Sequence, residues 1–243
     1  MIETIRRNIE DFGFHVYHIS GGPVPRFSYS IGLNQVVGAE VVLAGGAFFE
    51  GTTPANIMDA ICKRLLQDAK SGRAQAELAS SVIPVQGVGS FRLRRAHESW
   101  VRLMLLGALD YYDAPSVEAY QIVPEARHLT LDVPDLSRPR SDNADPAWAW
   151  LDQRWPYDIP KDSQAMTNLL ALRGRRIGEA VRWQDGWHLY ASQEAPVEDE
   201  DLRLLPIGAL LGADPSLEPV VNLEVGQALW RGGDEGDWES WDD

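Results

Sequence analysis

Pro25-Arg26-Phe27-Ser28-Tyr29-Ser30-Ile31-Gly32-Leu33 is the stretch from which the fold is read. With a period of two, Phe27, Tyr29, Ile31 and Leu33 face one way, while Ser28, Ser30 and Gly32 face the other. That pattern is a strand with one apolar face and one nearly bare face. A bare face lets something approach the backbone closely: a packed helix, a neighbouring strand or a ligand. Small residues beneath a helix are the more ordinary outcome. The other is a pocket bordered by Ser28 and Ser30, with Arg26, His15 and His18 supplying polar contacts.

Upstream, Ile2, Ile5 and Ile9 recur at helical spacing over residues 2–11, and residues 14–19 alternate as a strand ending at Ser20-Gly21-Gly22-Pro23. Downstream, residues 34–38 read as a linker and 39–44 as a nearly continuous apolar strand buried on both faces. A helix follows, with Thr53 as cap and Pro54 in its first turn. Its stripe of Ile57, Met58, Ile61, Cys62, Leu65, Leu66 and Ala69 makes Cys62 an inert packing residue. After a polar stretch (71–81), residues 82–95 read as one strand bent at Gly87 and Gly89. Residues 100–111 then read as a single amphipathic helix, and 119–123 as a further strand.

Prolines at 124, 134, 139 and 146 mark residues 124–147 as a boundary. Beyond it, Trp148, Trp150, Trp155 and Tyr157 form an aromatic cluster, expected as an interdomain wedge or an exposed anchor. Gln184-Asp185-Gly186 is a hairpin turn between strands 176–183 and 187–192. Residues 204–211 resemble a short helix and 225–231 a last strand. The acidic end, from 232 on, is expected to be mobile.

The 243 residues carry a net charge of -14, unevenly spread. Up to Ala147 there are 14 Lys/Arg against 17 Asp/Glu; from Trp148 onward there are 8 against 19. Such a field repels nucleic acid and anionic membranes and draws basic partners inward. Met1-Ile2-Glu3-Thr4-Ile5-Arg6-Arg7 runs straight into a helix pattern without the apolar core of a signal peptide, so a cytoplasmic location is the expectation. A lone cysteine excludes disulfide frameworks and cysteine-rich metal sites.

Reaction chemistry is sparse. The histidines at 15, 18, 97, 128 and 188 make no metal-ligand spacing, and His15 and His18 fall on opposite faces of one strand. No G-x-S-x-G elbow supports Ser28 or Ser30 as a nucleophile, and no phosphate-binding glycine fingerprint precedes the helix at 53. Arg92, Arg94 and Arg95 form a basic patch without interleaved aromatics, which reads as an ion-pairing surface. No metal and no cofactor is expected.

Two resemblances add to this. Gly13-Phe14-His15-Val16, Pro25-x-Phe27-Ser28-Tyr29-Ser30-x-Gly32-Leu33, the helix end at 108–112 and Gln121-Ile122-Val123-Pro124 resemble an uncharacterised bacterial family of unknown function, the four-two-six-two family. Ala39-Glu40-Val41 stands where its members carry a Pro-Glu pair. This likeness implies no catalytic residues. Ile177-Gly178, Asp185-Gly186-Trp187-His188-Leu189-Tyr190, Asp214-Pro215-Ser216-Leu217 and Val225-Gly226-Gln227-Ala228-Leu229-Trp230-Arg231 resemble a second family of unknown function, the two-one-eight-five family, grouped with toxin-immunity proteins.

The expected fold is α+β in two domains: residues 1–147 with a mixed or antiparallel sheet and packed helices, and a small hairpin-containing α+β domain at 172–232. Residues 148–171 are expected as a connector and 233–243 as an acidic tail. The expected function is non-enzymatic binding of a basic protein, of immunity or regulatory type. Trp187, Trp230, Glu198, Asp199, Glu200 and Asp201 are its candidate contacts, and homo-oligomer formation stays open. The alternative is an enzyme or small-molecule binder with its pocket beside residues 27–33.

Overall fold

The computed structural model describes residues 2–72, 82–192, 198–232 and 236–241. Most of the polar stretch 71–81 and part of the acidic tail lie outside these residues. The chain is α+β in two compact units. Met1–Ser20, Arg26–Leu129 and Pro134–Ser141 make the first; Gly21–Pro25, Thr130–Val133 and Asp142–Asp243 make the second.

In the first unit α1 (Ile2–Phe12) leads into β1 (His15–Ile19), and the quoted stretch forms β2 (Phe27–Ile31). Residues 34–38 are no plain linker, because Asn34–Val37 closes as a short helix, α2. β3 (Glu40–Ala44), α3 (Thr53–Lys70), β4 (Val82–Val85) and β5 (Gly89–Arg95) follow. The mixed sheet runs β1-β2-β3-β6-β5-β4, where β6 is Ala119–Pro124 and pairs parallel with β3. Every residue of β2 and β3 is buried. On one face, Ile57, Met58, Ile61, Cys62, Leu65 and Leu66 of α3 meet Val41, Leu43, Phe91, Leu93 and Ile122. Each such side chain contributes about 2 kcal/mol by leaving water.

Three local expectations change. The cap of α3 falls on Thr52, whose helical backbone makes no side-chain cap bond. Residues 82–95 form a hairpin, not one bent strand: Val88 N donates to Val85 O, and Val85 pairs with Gly89. The helix over 100–111 is broken into α4 (Glu98–Met104) and α5 (Leu106–Tyr112). The break has a cause in Gly107. Its amide donates to Tyr29 Oη at 3.0 Å, where a continuous helix would direct it to the carbonyl four residues back. A Cβ there would sit 2.7 Å from that same oxygen.

The second unit carries its own mixed sheet, in the order β10 (Leu202–Pro206), β7 (Gln164–Asn168), β9 (Gly186–Tyr190), β8 (Glu179–Trp183), β11 (Ala228–Trp230) and β12 (Glu239–Ser240). β7 (Gln164–Asn168), with the short helix α6 (Leu169–Leu172) after it, lies inside the expected connector and pairs with two strands. β8 (Glu179–Trp183) and β9 (Gly186–Tyr190) are the hairpin read from Asp185-Gly186. The stretch read as a helix over 204–211 is divided: β10 (Leu202–Pro206) completes the sheet, and only Ile207–Ala213, α7, is helical. Alternating burial along Arg203, Leu204 and Leu205 is the strand signature that a helical reading overlooks. A short helix, α8 (Glu218–Val221), precedes β11 (Ala228–Trp230). The acidic end is partly in the sheet, since Glu239–Ser240 forms β12 beside β11.

The aromatic cluster is packed within this unit. Trp148 Nε1 donates to Asp132 O and Trp150 Nε1 to Gly208 O, each at 2.9 Å, and Trp155 and Tyr157 meet edge to face. Close packing of α7 on Pro146–Leu151 depends on Gly212, where a Cβ would lie 2.1 Å from Pro146 O.

Candidate functional site

Strand alternation sends Ser28 and Ser30 to the face of Leu43 and Val41, under α3. Ser28 Oγ shares a 2.8 Å hydrogen bond with His18 Nδ1, and burial holds the His18 imidazole below its ordinary pKa. His15 lies on the opposite face, bonded through Nδ1 to Asn8 at 2.8 Å, its pKa lowered by burial and by His18. Arg26 donates to the backbone carbonyls of Gly46 and Phe49, bracing that loop. Of the five residues expected around a pocket, Ser28, Ser30 and His18 share one face, while His15 lies on the other and Arg26 turns to the loop.

What gathers there is a carboxylate that sequence reasoning missed. Glu40 is fully buried and accepts from Ser30 Oγ (2.5 Å), Tyr112 Oη (2.6 Å), Gly32 N (2.9 Å) and Asn34 N (3.0 Å). Ser30 Oγ in turn accepts from Val41 N at 2.9 Å. Three of these bonds converge on Oε1 and one on Oε2. Burial and Glu40 together push the Tyr112 phenol well above its usual pKa, and burial, Glu40 and Asp59 do the same to the Cys62 thiol. The arrangement fixes the Ser-x-Gly turn; it offers no open coordination to a substrate. A single acid inside the otherwise apolar run Ala39-Glu40-Val41-Val42-Leu43-Ala44 was the signal available.

Two of the three arginines of the basic patch are paired. Arg95 grips Glu118 (2.5 and 2.8 Å) and Arg94 reaches Asp135 (3.2 Å) along a cleft of about 590 Å³ lined also by His97 and Ser137. Among the described residues no group of three or more His, Cys, Asp or Glu is placed to hold a metal ion. Nor is any described helix long and apolar enough to cross a membrane.

In the second unit, Trp187 and Trp230 point in opposite directions. Trp187 lies on the inner face with Ala180 and Leu189; it is buried, its Nε1 donates to Val220 O at 3.0 Å, and the Arg182 guanidinium covers its ring. It is not a surface contact. Trp230 pairs with Glu179, and that register puts it on the outer face with Val181 and Trp183. On β9 the outer positions are His188 and Tyr190, on β7 Met166, and on β10 Leu204. Leu204 is 64 %, Trp183 51 % and Trp230 39 % exposed.

Glu198 and the 3-10 turn Asp199–Asp201 lead into β10, with Arg203 buttressing the turn through Glu200 O. β10 and β11 are four strand spacings apart, about 19 Å. The acidic run and Trp230 thus mark two ends of one face and do not touch. The carboxylates flanking Trp230 are Glu179 and Glu239, opposite it on β8 and β12. Between the ends, Tyr190 Oη bonds His188 Nδ1 (3.1 Å), and His188 Nε2 lies 3.7 Å from Asp185.

These features describe a two-unit α+β protein with a first unit built around a buried, hydrogen-bonded carboxylate and a second unit that exposes Leu204, Trp183 and Trp230 on one sheet face. The chain belongs to the family described as Domain of unknown function (DUF4262), whose model matches residues 8–129. That range contains Ser30, Gly32, Asn34, Glu40 and Tyr112, the whole internal network. No curated protein and no solved structure matches the chain.

Proposed function

We propose that this chain is a non-enzymatic protein-binding module, of immunity or regulatory type, that docks a basic protein on the outer face of its second sheet. The observation that supports it is the exposure of Leu204, Trp183 and Trp230 on one sheet face with carboxylates at both ends. Four strands of five residues and two shorter ones span at most roughly 24 by 17 Å, about half of one partner's share of a standard interface. Acidic groups accelerate encounter with a cationic partner, and desolvated Trp and Leu side chains hold the complex. The net charge from Trp148 onward, 8 basic against 19 acidic residues, has the matching sign. The likeness of the second unit's Asp185–Tyr190, Asp214–Leu217 and Val225–Arg231 segments to the two-one-eight-five family favours an immunity role within this class.

The test is capture of partners from the source organism by the full chain, at low and high salt, beside Leu204→Asp and a Glu198/Asp199/Glu200 charge reversal. A basic partner should be lost with Leu204→Asp, and its association should slow with salt and with charge reversal. If both variants retained the same partners at the same rate and salt dependence, the reading would fail.

A further inference from the structure

One corner of the outer face is shaped for a specific chemical group. A recess of about 220 Å³ lies at its β11–β12 end, lined by Gly178, Glu179, Ser192, Trp230, Arg231 and Trp241. Trp241 N donates to Ala228 O at 3.2 Å, which continues the β12 pairing by one residue and turns the Trp241 side chain to the same face as Trp230. The Trp241 ring is 53 % exposed. Two indoles therefore wall one small recess.

The carboxylate side of the recess is built from the strands beside β11. Trp230 stands between Glu179 and Glu239 on the neighbouring strands. Ser192 Oγ donates to one Glu179 oxygen at 3.2 Å, and the other takes no hydrogen bond from the described residues. Arg231 brings no free positive charge to the recess. Its side chain is 1 % exposed, and its guanidinium is bound to Asp214 Oδ2 (2.9 Å), Ser216 Oγ (2.6 Å) and Ile177 O (2.6 Å). An anion would meet the Glu179 carboxylate here, whereas a cation meets that carboxylate and two indoles. The volume is below the roughly 300–1,000 Å³ of sites for drug-sized ligands and fits a single charged head.

We propose that the Trp230–Trp241–Glu179 recess takes the guanidinium or ammonium head of a basic side chain presented by the docked protein. Recognition of an organic cation stands on the recess alone; its source on a partner protein rests on the reading under Proposed function.

The experiment uses the full chain with nitrogen-15-labelled tryptophan and follows the indole N–H resonances, with those of Trp230 and Trp241 assigned from single Phe variants. Nα-acetyl-arginine amide, Nα-acetyl-lysine amide and the neutral Nα-acetyl-citrulline amide are titrated in turn. The two cations should shift both indoles saturably, with dissociation constants on the order of 10 millimolar or weaker, as two exposed indoles and one carboxylate together would give. Citrulline should not. Glu179→Gln should weaken binding about three- to tenfold, and Trp241→Ala, at the edge of the sheet, should abolish it. No shift at either indole, or an equal response to citrulline, overturns the proposal. Loss of a captured partner with Leu204→Asp but no cation binding leaves the docking reading standing and sinks this one. Cation binding without any captured partner supports the recess and sinks the docking reading.

Discussion

The two sheets share a plan, four antiparallel pairings and one parallel pairing in six strands, and differ in what lies on their faces. In the first, β2 and β3 are buried on both sides, and the small polar groups of β2 turn inward to a helix and a carboxylate. In the second, one face holds the inner core and the other presents Leu204, Trp183 and Trp230 to solvent. The lesson concerns which strand faces are candidates for binding. Serines and a glycine on a strand leave room that the chain's own helix fills. Bulky rings on alternate positions with nothing above them leave surface that another molecule can fill.

The contrast is broken most sharply at the two tryptophans. Trp187→Ala empties an inner-face site and should cost the second unit about 3–5 kcal/mol, while Trp230→Ala should cost less than about 1 kcal/mol. Urea denaturation of both variants separates them, and similar midpoints would erase the inside–outside distinction. Next comes the internal carboxylate. Glu40→Ala leaves two hydroxyls and the Asn34 amide without their acceptor and should destabilise the first unit by about 3 kcal/mol. Tyr112→Phe removes one of those donors and should cost about 1 kcal/mol by the same assay.

A smaller effect probes the bare face. Ser28→Leu forces extra carbons under α3 and should cost about 1–3 kcal/mol through overpacking. A neutral result in the same denaturation would mean that the face has room to spare. The least effect is expected from pH. Burial lowers the folded-state pKa of His18, and burial with the His18 charge lowers that of His15, from the ordinary 6.5. Below that value the unfolded chain takes up protons that the folded first unit refuses. Stability is therefore complete above about pH 6.5 and declines as pH falls toward the depressed values. Comparing midpoints at about pH 7.5 and about pH 5.5 should show the decline, and His18→Gln should flatten it.

Much of this was legible in the residues. Period-two alternation in Phe27–Ile31 and the Asp185-Gly186 turn are local signals, and both strands and hairpin stand where they point. The helical stripe from Ile57 to Leu66 likewise specifies the α3 core. What local pattern could not show was pairing across long separations. Glu40 meets Tyr112 only because α5 packs against β2, the strand next to β3. Leu204 reads as helical until β7, from inside the expected connector, supplies its partner strand. The candidate contacts divide for the same reason. Trp187 and Trp230 both lie in strands rich in apolar residues, and only the register with β8 decides that one faces inward and the other outward.

Arg231 carries a further consequence. Its guanidinium is held by a carboxylate, a hydroxyl and a carbonyl, and the Trp238 ring lies 4.2 Å from it, with Trp238 Nε1 donating to Ser216 O. This residue adjoins Trp230, so the knot of bonds clamps the backbone that carries the exposed ring. A ring mounted on an immobilised strand surrenders little freedom when it is covered, and preorganisation of that kind shows up as slow dissociation. Loosening the clamp with Asp214→Asn should accordingly shorten the lifetime of a complex at this edge while leaving its rate of formation, which long-range charge governs, almost untouched.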